Sequence, residues 1–284
     1  MTKSHKIDTE QFQHWRLLPI VISLFFFIGL WIFFPTKTAK LYIKQKLTNQ
    51  LQCSVAIDNI EFDLPATLII NDLELTAAPE IPVHISELTL APCWMHLVKG
   101  NPTVQLEAKT LGGNIEGQFN TAHHIHLNAT SLQLLDIPIP QLPDLRIQAT
   151  VEQLDTSVNT EPVDQLEYLK LHLSKFSIVG LKQVGFPTDH LDLGNIYIHL
   201  RQSKQCIYID KFKNSNGDFM IGANGFIIYK QNLLNSTIDI RLTFSPRTGL
   251  DPSITTTLPL FAKKQKNGQY SIRIGGTLAK PCLR

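Results

Sequence analysis

The chain has 284 residues, 43% hydrophobic and 18% charged, which excludes a disordered or low-complexity protein and leaves length for one large domain or two small ones. The net charge of +2 hides an asymmetry: residues 1–52 hold seven Lys/Arg against two Asp/Glu, residues 53–165 three against fifteen, and residues 166–284 sixteen against seven. The basic half has no recognisable nucleic-acid-binding motif, so no nucleic-acid partner is expected.

In chain order, the polar stretch 1–16 precedes an uncharged run from Leu17 to Phe34, LLPIVISLFFFIGLWIFF. A helix needs about 20 apolar residues to cross a hydrocarbon core, so the run predicts a transmembrane helix over residues 17–35, with Trp15 and Trp31 near its ends. A cleaved signal peptide has a shorter apolar core and a small-residue cleavage site. Here the run ends in Phe33-Phe34-Pro35, and Lys37 stands two positions before the nearest Ala, Ala39. A lipoprotein signal is also absent, since Cys53 follows Gln50-Leu51-Gln52. Lys3, Lys6 and Arg16 before the run and Lys37, Lys40, Lys44 and Lys46 after it leave its orientation open by charge alone. With no second long apolar run, a single-pass protein is expected.

Residues 36–52 place Ala39, Ile43, Leu47 and Leu51 at four-residue spacing, with lysines between them. That is an amphipathic helical extension, able to lie at a membrane interface or to dock on the domain that follows.

From Cys53 the apolar period becomes 2. Val55–Ile57 then Ile60–Phe62, Leu68–Ile70 then Leu73–Leu75, and Val83–Ile85 then Leu88–Leu90 predict short alternating strands broken by Asn, Asp and Pro. The pattern continues at Val104–Leu106, Ile115–Phe119, Ile125–Leu127, Leu145–Val151, Leu169–Leu173, Ile196–Leu200, Ile207–Ile209, Phe219–Ile228, Ile238–Phe244 and Tyr270–Ile274. No helices of crossover length stand between them, which excludes a doubly wound α/β fold. The expected fold is mainly β: a single N-terminal transmembrane helix followed, over residues 53–284, by a many-stranded antiparallel meander forming a curved, groove-like or half-barrel sheet. The polar segment Thr156–Asp164, which contains Pro162 and coincides with the charge reversal, is expected to be a loop between two halves of one sheet or a domain boundary.

The residues offer little chemistry. His124 and His126 would share a strand face and hold one ion, but no third ligand is evident, so neither a metal nor a cofactor is assigned. The glycine stretches Leu111–Gly117 and Gly217–Gly225 run on into strand pattern instead of opening a helix, which points to turns and close packing, not a phosphate loop. No G-x-S-x-G or H-E-x-x-H motif occurs, and no catalytic residue is assigned. Cys53, Cys93, Cys206 and Cys282 form no CxxC pair and fit either one or two disulfides or free thiols.

The order of features resembles the protein N family of type II secretion in its longer, β-rich form. The resemblance rests on the span ending in Phe34-Pro35, the Lys-rich helix, Val55-Ala-Ile-Asp-Asn-Ile-Glu-Phe62 and Ile69-Ile-Asn-Asp-Leu-Glu-Leu75. It continues through Leu111-Gly-Gly-Asn-Ile-Glu-Gly-Gln-Phe119, Ser215-Asn-Gly-Asp-Phe-Met-Ile-Gly-Ala-Asn-Gly-Phe-Ile227, Ser236-Thr-Ile-Asp-Ile240 and Ile274-Gly-Gly-Thr-Leu-Ala-Lys-Pro281. Similar glycine turns between alternating strands recur in AsmA-like and bridge-like lipid-transfer proteins. Gln52-Cys53 departs from the Gly that often precedes the first strand in the family. The resemblance implies a cytoplasmic N-terminus, a bacterial inner-membrane anchor and a periplasmic β domain. It further implies a non-enzymatic accessory role in secretion with other envelope proteins as partners, or an AsmA-like lipid-binding or lipid-transfer role.

Overall fold

The computed structural model describes Val21, Ile22, Phe25, Phe26, Ile28 and Gly29 and, from Pro35 onward, all residues except 52, 78–80, 140–141, 161–164, 187, 231–234, 249, 251 and 284. The stretch 1–16 and most of the run Leu17–Phe34 lie outside the described residues, and no helix among those described is long and apolar enough to cross a membrane.

After helix α1 (Thr36–Leu51) the chain forms β1 (Ser54–Asp63), β2 (Thr67–Ala77), β3 (Ile81–Pro92), the short helix α2 (Trp94–Val98), β4 (Thr103–Thr110), β5 (Gly113–Asn120), β6 (His124–Ile139) and β7 (Leu142–Asn159). It continues with β8 (Gln165–Val179), a 3₁₀ turn (Leu181–Val184), β9 (His190–Ser203), β10 (Cys206–Ser215), β11 (Phe219–Ile228), β12 (Thr237–Pro246), α3 (Pro252–Phe261), β13 (Lys263–Lys264), β14 (Tyr270–Thr277) and β15 (Pro281–Leu283). All the strands belong to one open antiparallel sheet in which chain order is spatial order from β1 to β12; β14 follows β12 and carries the short β13 and β15 on its far side.

Several strands are longer than the alternation alone predicts. Val55–Ile57 and Ile60–Phe62 are one strand, because the period slips at Asp58 without breaking the pairing: Ile57 opposes Leu73 and Asn59 opposes Asn71. The same slip skips Asp72 and Ser86 between β2 and β3. Asp72 sits at φ 51, a conformation that Asp tolerates better than most residues. A second run of slips crosses Ser131 in β6, Glu152 in β7, Ser174 and Lys175 in β8, and Asn195 in β9. Between the two runs lies the β4–β5 turn, where Leu111 (φ 49) and Gly112 (φ 74) give two consecutive left-handed residues, as a two-residue hairpin requires. Each slip adds a residue locally and restores the inward side chains to their face.

The expected loop at Thr156–Asp164 is corrected in part: Thr156–Asn159 belong to β7 and pair with β8, so one sheet runs through the charge reversal. Thr156 points inward, 7% exposed, and satisfies its hydroxyl by donating to the Tyr168 carbonyl, which is why a polar residue fits there. Residues 161–164 lie outside the described set.

Helix α1 docks on the domain. Ile43 and Leu47 pack against Cys53, Val55, Ile57, Ile60, Ile70 and Leu73, and Lys40 Nζ donates to the Asp58 carbonyl at 2.7 Å. With Lys40 level with Asp58 and the end of α1 three residues before Ser54, α1 runs antiparallel to β1. A second cluster holds Ala129, Leu132, Val151, Leu173 and Ile196 on β6–β9. All four cysteines are free thiols, from buried Cys53 to exposed Cys282.

Glycine is required where neighbouring strands come closest. At Gly194 (φ +73) an added Cβ would stand 2.1 Å from the Ser215 carbonyl oxygen, whereas at Gly268 (φ +82) it would meet nothing within 4 Å. Gly194→Ala is therefore expected to cost about 2–3 kcal/mol and Gly268→Ala about 1 kcal/mol, read from urea unfolding followed by circular dichroism. Equal costs would mean that the close approach contributes nothing.

Candidate ligand-binding face

Residues directly opposed across antiparallel strands share a face, so the register can be followed across the sheet. One row runs Ile60, Ile70, Leu88, Ala108, Ile115, Ala129, Leu154, Leu171, Ile198, Phe212 over ten strands. The next runs Phe62, Leu68, Leu90, Leu106, Gly117, Leu127, Thr156, Leu169, Leu200, Ile209 over the same ten. A shorter third contains Pro92, Val104, Phe119, Ile125, Val158 and Leu166. On β11, β12 and β14 the same character continues through Ile221, Phe244 and Tyr270, with Phe244 and Tyr270 stacked at 5.8 Å.

Apart from neighbouring strands, the substantial packings among the described residues are α1 on β1, the 3₁₀ turn on β7 and α3 on β14. The row from Phe62 to Ile209 consequently stays half-buried at every leucine and isoleucine. At about 4.8 Å between strands, ten strands extend a continuous apolar surface over roughly 43 Å.

The opposite face is polar and carries the charge asymmetry. Glu61, Ile69, Thr89, Glu107, Glu116, Asn128, Asp155, Lys170, His199 and Lys211 oppose one another in turn, so the sign changes between β7 and β8. Asp155 is the hub at this boundary. His126 Nε2 lies 3.1 Å from its Oδ1, Tyr168 donates its hydroxyl to that oxygen at 3.1 Å, and Lys170 Nζ stands 3.4 Å from Oδ2. Beside it, Ser157 donates to Glu167 at 2.6 Å and His124 Nδ1 lies 3.6 Å from the same carboxylate.

His124 and His126 thus share a face but face separate carboxylates on β7 and β8. No group of three or more His, Cys, Asp or Glu placed to hold a metal ion occurs among the described residues. The Leu111–Gly117 stretch is a hairpin turn running into β5, and at Gly113 a Cβ would clash with the Thr130 carbonyl oxygen, so its glycines serve close strand packing. The hub at Asp155 is invisible in the sequence, because its partners come from 29, 13 and 15 residues away. What the arrangement offers chemically is an extended apolar surface with a charged back, held by hydrogen bonds and ion pairs. No protein-family model, curated protein or solved structure matches the chain.

Partial burial, and then the hydrogen bond to Asp155, raise the Tyr168 phenol above its ordinary value. A raised phenol favours the protonated form of the folded state, so this contribution is present below the ordinary tyrosine range and is lost as pH climbs through the higher folded value. Asp155→Asn is expected to lower the Tyr168 midpoint in an ultraviolet titration while leaving it above the ordinary tyrosine value, since burial persists. A midpoint that does not move would remove Asp155 as a cause.

Proposed function

We propose that the chain is a single-pass protein of a bacterial inner membrane whose periplasmic sheet holds lipid acyl chains along its apolar face. The observation that carries this reading is the pair of ten-residue rows, from Ile60 to Phe212 and from Phe62 to Ile209, apolar but for Gly117 and Thr156, on a sheet that does not close. In this reading the aligned slips curve the sheet toward its apolar side, giving the groove-like or half-barrel form that shields the row from water. A hydrocarbon core of about 30 Å is shared by two leaflets, so a surface of roughly 43 Å accommodates more than one acyl chain end to end. The run Leu17–Phe34 supplies the anchor and α1 the connection to β1, with residues 1–16 in the cytoplasm. As a binding module it needs neither a catalytic residue nor a cofactor.

Native mass spectrometry of the full chain extracted from bacterial membranes is expected to show adducts of phospholipid mass. Leu127→Glu with Leu169→Glu, two half-buried positions of the same row, should lower the retained lipid about tenfold while circular dichroism stays that of a folded β protein. Wild-type chain without lipid, or a folded double variant with undiminished lipid, would sink the reading.

An accessory role in type II secretion is the second reading, supported by the ordered strand motifs and by the charged back of the sheet as a surface for other envelope proteins. Deleting the gene should then impair export of folded periplasmic substrates. Normal export of several such substrates would count against it.

A further inference from the structure

We propose that the loop between β3 and β4 is a second membrane contact, in which Trp94, Met95, Leu97 and Val98 enter the interfacial layer of the bilayer that receives the apolar N-terminal run. The inference rests on the anchor reading above and assigns that anchor a companion.

Helix α2 presents its large apolar side chains to solvent. In α2, Trp94, Met95, Leu97 and Val98 are 39%, 69%, 45% and 87% exposed, and none of the five residues is buried. His96, the one polar residue among them, is exposed as well but is tied to the protein: its Nδ1 lies 3.1 Å from Oγ1 of Thr103, itself only 7% exposed. Four large apolar groups within five residues form a contiguous exposed patch of the kind that marks an interaction site, unlike the scattered single leucines of ordinary surfaces.

The patch is held in shape by backbone hydrogen bonds. Cys93 N–H donates to the Thr103 carbonyl at 2.8 Å, His96 and Leu97 N–H both donate to the Cys93 carbonyl at 3.0 Å, and Asn101 N–H donates to the His96 carbonyl at 2.9 Å. The loop is closed by its own backbone, and its apolar side chains project from a fixed platform.

The patch lies at the end of the sheet from which α1 arrives. Helix α1 ends three residues before Ser54, and Lys40 reaches the Asp58 carbonyl, so α1 approaches β1 from the end of the strand that carries Asp63. Thr36 lies about 6 Å further toward that end than Lys40, at 1.5 Å per helical residue. Phe62, Leu68 and Leu90 stand at one level across β1–β3, so Pro92 and the α2 loop after it lie at that same end. The chain therefore comes from the N-terminal run on the side of the sheet where the apolar loop projects. At the same end stand further groups suited to a lipid interface: Leu64, 41% exposed in the β1–β2 turn, Lys37 in the first turn of α1, and Lys99 at the end of α2. Tryptophan and tyrosine favour the headgroup level, and lysines reach anionic headgroups from there. A bilayer satisfies this combination of a small apolar tip with lysines at the same end of the sheet.

The test uses the full chain reconstituted in vesicles of phosphatidylcholine and phosphatidylglycerol, with brominated acyl chains as quencher. The protein has three tryptophans, so Trp15→Phe with Trp31→Phe leaves Trp94 as the reporter, and Trp15→Phe with Trp94→Phe leaves Trp31. Both reporters are expected to be quenched by the brominated lipid. Met95→Asp with Val98→Asp, at two strongly exposed positions, should abolish most of the Trp94 quenching and leave that of Trp31 unchanged. A quenched Trp31 beside an unquenched Trp94 would overturn the inference while leaving the anchor intact. In that case, shielding of Trp94 from aqueous iodide would assign the patch to a protein partner or a second copy. An unquenched Trp31 would bring down the anchor reading and this inference with it.

Discussion

The structure depends on register being carried coherently from β1 to β12. Side chains alternate with a period of two, so a slip of one residue on one strand alone would send its apolar set to the polar face. The chain instead slips together on neighbouring strands: Asp58, Asp72 and Ser86 on β1–β3, then Ser131, Glu152, Lys175 and Asn195 on β6–β9. Because the irregularities are shared, the row containing Ile57 and Leu73 on one side of the slip and the row containing Ile60 and Ile70 on the other face the same way. The core that receives α1 is built from both.

A meander without crossovers has a second consequence. Chain order is spatial order, so an acidic first half and a basic second half become an acidic and a basic end of one sheet face. The boundary falls between β7 and β8, where Asp155 gathers His126, Tyr168 and Lys170. Most of these ion pairs are solvent-exposed and each contributes little to stability. Their collective effect is a field that runs along the sheet, behind an apolar surface of comparable length.

The expectations drawn from the residues were sound where the physics is local. Alternation identified the strands, and Leu111-Gly112 marked a turn, since a two-residue hairpin needs two left-handed residues and glycine supplies one at little cost. They failed where an interruption of the pattern had two meanings. Asp58 and Asp72 look like strand ends in sequence but are slips inside continuous strands, and Thr156–Asn159 look like a loop but alternate inward and outward within β7. Cys93–Lys99 has no periodicity to read at all, so the exposed tip at α2 became visible only with the fold.

By itself the sequence determined that the chain is mainly β, which side chains share a face within each strand, and in what order the charges follow, because each of these depends on spacing along a few residues. Only the tertiary structure decided that the strands join into one open sheet, that α1 docks along β1, that His124 and His126 meet different carboxylates, and that His96 is tied to Thr103 while large apolar neighbours stand exposed beside it. Those outcomes depend on pairings between residues far apart in the chain, and the free energy that selects among them comes from burial and hydrogen bonding across strands, not from local preference.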